Sequence, residues 1–254
     1  MKNMSKHGLG WLPDLPDHRD KMYSAQKPGG IVLPAKTDLR KYCPPVYDQG
    51  RLGSCTANAL GGAFEFEQMK QKKNSFTPSR LFIYYNERVI ENSVASDSGA
   101  MLRDGIKTLA KQGVCDEAKW PYILSKFATK PSTTCYKLAL QSQAVSYMRL
   151  THQLSELQTC LADGYPFVIG FTVYESFTTD KVAISGHVPM PKPGEAVQGG
   201  HAVMAVGYDT KNKWFIMRNS WGEAWGMQGY FTMPFEYLTS DNLSDDFWTI
   251  RLVE

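Results

Sequence analysis

The stretch that decides the fold is RNSWGEAWGMQGY, residues 218–230. It overlaps the end of WFIMR, residues 214–218, whose aromatic and β-branched side chains predict a short strand. An isolated asparagine after a strand is ordinarily a turn residue. Asn219, however, begins Asn-Ser-Trp-Gly, and a second Trp-Gly pair and a Gly-Tyr pair follow it. This combination is far more specific than any one of its residues, so the stretch indicates a defined motif.

Two further segments accompany this motif. DQGRLGSC, residues 48–55, ends at Cys55, and GHAVMAVGY, residues 200–208, contains His201. Apolar residues at spacings of three and four follow the cysteine, which predicts a helix with Ser54 at its N-cap and Cys55 in its first turn. A cysteine at a helix start is usually inert packing, and a lone histidine before an apolar strand is usually structural. The three segments in this order indicate chemistry instead.

These segments resemble the papain family of cysteine peptidases, and the resemblance runs from Leu33 to Glu254. It implies an α+β, papain-like fold of two lobes, with a helical left lobe, an antiparallel β-barrel-like right lobe and the active-site cleft between them. The expected parts are an N-terminal extension at residues 1–32, a mainly helical lobe at 33–143 and a mainly β lobe at 144–254. Bacterial members of the family have such a short extension.

The resemblance also assigns the catalytic residues. Cys55 is the implied nucleophile, His201 the general base and acid, and Asn219 the residue that orients the imidazole. Gln49 is implied to stabilise the oxyanion, and Trp221 to shield the Asn–His hydrogen bond from water. A free thiol has a pKa of about 8.5, which a helix N-terminus and a nearby imidazolium both lower. The expected reaction is peptide-bond hydrolysis through a thioester acyl-enzyme, with no cofactor.

A substrate groove follows from the same resemblance. Residues 98–100 match the family's glycine-rich strand, which pairs with a peptide substrate as an added strand does. The pocket for the second residue upstream of the cleaved bond is expected to prefer apolar side chains over arginine. The predicted substrate-binding residues are Gly99, Ala100, Met101, Leu102, Gly170, Gly200 and Trp221.

Two positions depart from the family pattern. Leu52 stands where the family usually has a cysteine, and Thr56 where it usually has an aromatic residue. The chain has five cysteines without any C-x-x-C spacing, so no metal site is predicted, while one or two disulfides remain open.

Periodicity predicts helices first and strands later. Besides the helix after Ser54, a second helix is expected to open at Thr77-Pro78, and a third to run over 102–112 and stop at Gly113. Runs rich in β-branched and aromatic residues predict antiparallel strands at 165–177, 201–208, 214–218, 229–235 and 247–253. This order is typical of an α+β protein.

Composition excludes several partner classes. With 28 basic and 25 acidic residues, the net charge of +3 gives no concentrated basic face of the kind that binds nucleic acid. No apolar run approaches the ~18 residues of a membrane span. The charged N-terminus lacks a signal-peptide core, so we expect a chain that is cytoplasmic as synthesised or exported by a signal-less route.

Residues 1–32 contain apolar side chains that are unusual for a free tail. We expect Trp11, Leu12 and Leu15, set around Pro13 and Pro16, to fill apolar subsites of the cleft, so that the chain's own N-terminal segment inhibits it as in a zymogen. A loose tail, or a segment packed on the far side of the molecule, is the alternative.

Two other functions stay open at this stage. A papain-fold protein without catalysis could use the cleft only for binding, and a cysteine acyltransferase could share the Cys-His chemistry. The intact set of Cys55, His201, Asn219 and Gln49 favours a peptidase that acts on peptides or proteins.

Overall fold

In the described residues, four helices come before residue 144, and three more lie between the strands that follow. The computed structural model describes residues 7–23 and 32–254. Its helices are α1 (Cys55–Lys70), α2 (Arg80–Ile90), α3 (Leu102–Lys111), α4 (Thr133–Ala139), α5 (Leu154–Ala162), α6 (Asp180–Ser185) and α7 (Phe235–Thr239). Its strands are β1 (Trp11–Leu12), β2 (Lys36–Asp38), β3 (Ala100–Met101), β4 (Ala144–Arg149), β5 (Phe167–Tyr174), β6 (Val197–Asp209), β7 (Trp214–Arg218), β8 (Tyr230–Pro234) and β9 (Ser244–Val253).

Helix α1 is buried on all sides. Every residue from Cys55 to Gln68 is buried, because the helix packs against β6 and β9 on one side and against α2 and α3 on another. The buried residues include Glu65 and Glu67, although charged residues on a helix usually face solvent. Glu65 accepts a hydrogen bond from Tyr47, and Glu67 accepts one from Gln71, so each buried carboxyl has a partner.

Helix α2 begins later than the sequence predicts. Its N-cap is Ser79, whose hydroxyl accepts a hydrogen bond from the backbone N–H of Phe82. The preceding Thr77-Pro78 lies in the approach to the helix, so the predicted start is two residues early. Ser54 does occupy the N-cap position of α1, but its hydroxyl bonds Tyr122 (2.6 Å) and makes no capping bond.

One large antiparallel sheet forms the second half. Its strands lie in the order β4-β9-β5-β6-β7-β8, and β2 pairs with β6 beside this path. Within the described residues the end strands β4 and β8 do not pair, so the sheet is open where a barrel would close. The α+β papain-like fold is nevertheless confirmed.

This architecture sets the site between a helix end and the sheet. Cys55 is the first residue of α1, and α1 packs on β6, which carries His201. Asn219 directly follows β7, the strand that pairs with β6 through Met204 and Arg218. A helix terminus and two neighbouring strands therefore bring together residues more than 140 positions apart.

Residues 7–23 form a segment that we call the N-terminal strap. Its strand β1 pairs in parallel with β3, Trp11 opposite Ala100 and Leu12 opposite Met101. Its end is held by a hydrogen bond from the Tyr23 backbone N–H to the carbonyl of Arg149 (2.7 Å). The rest of the predicted extension, residues 1–6 and 24–31, lies outside the described residues.

The remaining expectations concern boundaries and thiols. Helix α4 ends at Ala139 and β4 begins at Ala144, and the lobe boundary near residue 143 stays a prediction. All five cysteines carry free thiols, so none of them forms a disulfide within the chain. Across residues 7–23 and 32–254, none of the helices combines the length and apolar character that crossing a bilayer requires.

Candidate active site

The thiol of Cys55 is fully buried at the start of α1. Burial raises its pKa to about 12, although backbone hydrogen bonds from Ala202 and Gly10 act in the opposite direction. A helix N-terminus favours a thiolate, but removal from water opposes it more strongly here. The nucleophile predicted from the sequence is thus held as a neutral thiol in this state.

The imidazole of His201 is held by Asn219. Its Nε2 lies 2.8 Å from Asn219 Oδ1, which also accepts the backbone N–H of Ser220 at 2.8 Å. Because Oδ1 accepts, Nε2 is the protonated nitrogen and Nδ1 carries the lone pair. Nδ1 is buried and has no hydrogen-bond partner in the described part of the chain. The ring therefore presents an unused base, oriented by an amide that adds no charge.

Burial also sets the charge of this histidine. Loss of water lowers the pKa of His201 to about 4, although the hydrogen bond to Asn219 acts in the opposite direction, and His7 lowers the pKa further. The sequence did not indicate His7, which stacks on Trp221 with ring centroids 4.9 Å apart. At neutral pH the thiol of Cys55 and the imidazole of His201 are consequently both uncharged.

Aromatic rings enclose the His201–Asn219 pair. Trp221 stacks on His201 at 4.8 Å between centroids, and Trp225 meets Trp221 edge-on at 5.2 Å. Phe171 and Phe177 also face the imidazole, at 5.7 and 6.4 Å. The two phenylalanines were not singled out from the sequence, although both lie in the strand-like run 165–177. This enclosure keeps water from the Asn–His bond.

Gln49 is buried and fixed at both ends of its amide. Its Oε1 accepts from the Ser220 hydroxyl at 2.6 Å, and its Nε2 donates to the Leu52 carbonyl at 2.8 Å. Nε2 also donates to the carbonyl of Gly8 in the N-terminal strap, at 3.0 Å. The amide thus links the loop before α1 to the loop that carries Asn219.

The backbone of the strap is bonded to both sides of the site. Gly8 N–H donates to the Gly50 carbonyl at 3.1 Å, and Gly10 N–H donates to the Gly200 carbonyl at 2.9 Å. The Gly10 carbonyl accepts the N–H of Ala100 at 2.8 Å. The strap therefore runs from the loop before α1 to strands β6 and β3.

Glycines allow the indole of Trp11 to enter. A Cβ on Gly170 would lie 1.9 Å from Trp11 Cε2, and a Cβ on Gly200 would lie 2.3 Å from the Trp11 carbonyl oxygen. Trp11 is only 8% exposed. Any larger residue at either glycine would exclude this side chain.

The predicted groove residues divide into three groups. Gly170 and Gly200 face Trp11. Ala100 and Met101 pair with the strap. Gly99 also lies against the strap, since a Cβ on it would lie 2.1 Å from the Gly10 carbonyl oxygen. Leu102 is fully buried as the first residue of α3. Among the predicted strap residues, only Trp11 is buried. Leu12 is 37% exposed.

Leu15 corrects the sequence prediction. Its side chain is 67% exposed, so it does not fill an apolar subsite. Instead its backbone carbonyl accepts a hydrogen bond from the guanidinium of Arg103. This part of the strap is therefore fixed through its backbone, and the apolar side chain of Leu15 is left facing water.

Ion pairs anchor the middle of the strap. Arg103 donates to Asp20 from Nε (2.9 Å) and from Nη2 (2.6 Å), and Arg149 donates to Asp20 from Nη1 (3.1 Å). Asp14 accepts the backbone N–H of Arg103 at 2.9 Å and the indole N–H of Trp248 at 3.0 Å. No local sequence pattern signals this cluster, because its charges are far apart in the chain.

Asp246 joins the cluster to the indole of Trp11. Its Oδ2 accepts Trp11 Nε1 at 3.0 Å and the Asp14 N–H at 2.8 Å, and its Oδ1 accepts Arg149 Nη2 at 2.8 Å. Burial and the neighbouring Asp14 raise the pKa of Asp246 to about 7. No sequence pattern pointed to this residue. The arrangement contains no cluster that could hold a metal ion within the described residues.

Known proteins are similar to this chain in sequence and in fold. Residues 33–241 match the papain family cysteine protease profile. An uncharacterised peptidase C1-like protein of Acanthamoeba polyphaga mimivirus is 48% identical over 272 residues, which cover 96% of this chain and 87% of that protein. A cathepsin L-like proteinase of Fasciola hepatica is 28% identical over 209 residues, covering 80% of this chain and 60% of that protein.

Solved structures extend the comparison. Xylellain, a cysteine protease from Xylella fastidiosa, is 46% identical and superposes with a TM-score of 0.92, covering 100% of this chain and 99% of its own. A procathepsin B of Trypanosoma congolense shares the fold at 16% identity and a TM-score of 0.76, covering 97% of this chain and 86% of its own.

Proposed function

The chain belongs to the papain family of cysteine proteases, and we propose that it hydrolyses peptide bonds with Cys55 as nucleophile, His201 as base and acid, and Asn219 as orienting residue. The observation that carries this proposal is the 2.8 Å bond between His201 Nε2 and Asn219 Oδ1, with Nδ1 left free. A lone pair on the nitrogen opposite an orienting amide is what a general base needs.

We infer the reaction from the roles proposed for these groups. Nδ1 of His201 takes the thiol proton, and the sulfur of Cys55 attacks the substrate carbonyl carbon. The Cys55 backbone N–H and Gln49 Nε2 stabilise the resulting oxyanion. The imidazolium then gives its proton to the leaving amine, which leaves a thioester. Water activated by His201 hydrolyses the thioester and restores the thiol.

The N-terminal strap inhibits this reaction in the same molecule. The proposal is supported by the Gly8 carbonyl, which accepts Gln49 Nε2, the donor that the oxyanion requires. It is also supported by Trp11, whose buried indole takes the space beside Gly170 and Gly200. A substrate carbonyl and side chain cannot enter until the strap leaves.

Inhibition also has an electrostatic part. With the strap in place, burial raises the pKa of Cys55 to about 12 and lowers that of His201 to about 4. Both shifts oppose formation of the thiolate–imidazolium pair while the strap covers the site. Departure of the strap readmits water, and both pKa values move toward each other.

The test is hydrolysis of a fluorogenic peptide amide by full-length protein, without any added amine acceptor. Cys55→Ala should abolish cleavage and labelling by the thiol-reactive epoxide E-64 while the circular-dichroism spectrum stays unchanged. Cys43→Ala is the matched control, since this half-buried thiol lies outside the site and its loss should leave the rate unchanged. Activity of Cys55→Ala within tenfold of the wild type would contradict the assignment. Turnover that requires an added amine would instead identify an acyltransferase.

A further inference from the structure

Arg80 is a buried cation that contacts both parts of the chain from which the proposed oxyanion donors come. It is the first residue of α2 and is 8% exposed. The helix dipole opposes a cation at this end of a helix, so helix stability does not explain an arginine here. We propose that Arg80 is a positioning residue, which aligns the Cys55 backbone N–H and Gln49 Nε2 toward the oxyanion. The inference rests on the proposed peptidase function and deepens it.

A carboxylate and two aromatic rings fix the guanidinium of Arg80. Its Nε and Nη2 donate to the two carboxylate oxygens of Glu117, at 2.9 and 2.7 Å. The ring centroids of Tyr47 and Tyr122 lie 4.7 and 4.0 Å from its Cζ. A two-bond pair of this kind sets the orientation of the guanidinium plane as well as its position. The remaining terminal nitrogen, Nη1, is therefore held in one direction.

Nη1 of Arg80 joins the loop before α1 to α1 itself. It donates to the Asp48 carbonyl at 3.2 Å and to Asn58 Oδ1 at 3.0 Å. The Asp48 carbonyl belongs to the same peptide unit as the N–H of Gln49. That N–H donates to the Ser220 carbonyl at 2.9 Å, so both ends of this peptide unit are bonded.

The bond to Arg80 also decides which atom of Asn58 is the donor. Because a guanidinium has no acceptor, Asn58 presents Oδ1 to Arg80 and Nδ2 to Ser54. Nδ2 donates to the Ser54 carbonyl at 2.8 Å and to the Ser54 hydroxyl at 3.1 Å. The Ser54 carbonyl shares its peptide unit with the Cys55 N–H. A hydrogen bond to this carbonyl polarises the peptide and strengthens its N–H as a donor.

The same direction of donation continues to Gln49. The Ser54 hydroxyl accepts from Asn58 and therefore donates to the Tyr122 oxygen, 2.6 Å away. The Tyr122 hydroxyl in turn donates to the Gln49 carbonyl at 3.0 Å. The carbonyls on both sides of the Gln49 Cα thus accept bonds that begin at Arg80. This backbone carries the side-chain amide that is proposed to meet the oxyanion.

The experiment compares two substitutions in the full-length protein, Arg80→Lys and Tyr122→Phe. Lysine keeps the charge but lacks the planar set of donors, and phenylalanine removes only the hydroxyl that bonds Gln49. One readout is kcat for a fluorogenic peptide amide at saturation, where bound peptide keeps the strap out and a looser strap changes only KM. The other is the rate of Cys55 alkylation by iodoacetamide, which forms no oxyanion and reports the thiol and imidazole alone.

Both substitutions should lower kcat by at least about tenfold, since a misplacement of about 1 Å can cost about 10² in rate. The alkylation rate should not fall. Arg88→Lys and Tyr136→Phe are the matched controls. Arg88 is a buried arginine of the same helix and lies over the ring of Tyr84, and the Tyr136 hydroxyl donates to Asn86 at 2.9 Å. Both controls should keep the kcat of the wild type.

A double substitution tests whether the Tyr122 hydroxyl acts through Gln49. In the Gln49→Ala protein, Tyr122→Phe should lower kcat no further, because the amide that the hydroxyl positions is absent. Additive losses in the double variant would overturn the proposed route.

The remaining outcomes separate the two proposals. Unchanged kcat in Arg80→Lys or in Tyr122→Phe overturns the positioning role, as do parallel losses of kcat and alkylation. If Arg80→Lys does not fold, Tyr122→Phe decides alone. Absence of hydrolysis by the wild type, together with absence of E-64 labelling, overturns the peptidase function itself.

Discussion

Replacing Trp11 with alanine in the full-length protein should release the strap. Trp11 is 8% exposed, fills the space beside Gly170 and donates to Asp246 at 3.0 Å. Truncating a buried tryptophan costs about 3–5 kcal/mol. We take the lower figure, about 3 kcal/mol, because Asp246 regains water when the strap opens. At about 1.4 kcal/mol per tenfold, the ratio of closed to open protein falls roughly a hundredfold.

The assay is the initial rate of hydrolysis of a fluorogenic peptide in the first seconds after mixing. The rate should rise by up to the same factor, about a hundredfold, as long as the closed form predominates in the wild type. Leu15→Ala is the matched control, since it truncates an exposed apolar side chain of the same strap and should leave the rate unchanged. If Trp11→Ala matches the wild type, or if Leu15→Ala activates equally, the indole does not hold the strap closed.

Three further predictions concern the catalytic groups. Gln49→Ala should lower kcat by about 10², the effect of removing one oxyanion donor, and a change confined to KM would make Gln49 a binding residue. Asn219→Ala should cost less activity than Cys55→Ala, because packing still holds His201 in part, and equal losses would contradict a purely orienting role. In the closed protein, where the pKa of Cys55 is about 12, alkylation by iodoacetamide should climb steadily into the alkaline range. Trp11→Ala should shift this profile toward neutral pH, and coincident profiles would show that the strap does not control ionisation.

The local sequence pattern was enough to predict some of the helices and strands. Strand β7 at Trp214–Arg218 and helix α3 match the predicted ranges closely, since apolar periodicity and a terminal glycine mark them. Strand β4 was missed because its mixed polar sequence shows no clear alternation, whereas Leu154, Leu157 and Leu161 of α5 recur at helical spacing and could have predicted that helix. The buried polar side chains of α1 could not be inferred either, because burial there is decided by elements that come later in the chain.

The residues of the candidate site also fall into those that a local motif predicts and those that it does not. Cys55, His201 and Asn219 lie in recognisable motifs, and the 2.8 Å His–Asn contact agrees with the role predicted for the asparagine, which stays a proposal. The contacts of the strap are different, since Trp11 and Asp246 are 235 positions apart and belong to no common motif. A tryptophan two residues before Pro13 indicated burial, but only the folded chain identifies the carboxylate that accepts its indole N–H.

The protonated state of Cys55 has a consequence beyond enzyme regulation. Peroxide oxidises thiolates, and the sulfinic and sulfonic acids that form in excess oxidant are irreversible products. A thiol whose pKa is about 12 has almost no thiolate at neutral pH, and here it is also fully buried. The thiol proposed as nucleophile is therefore held in a form that resists oxidation. Under the proposed inhibition by the strap, we expect oxidation of Cys55 to begin only after the strap has left the site.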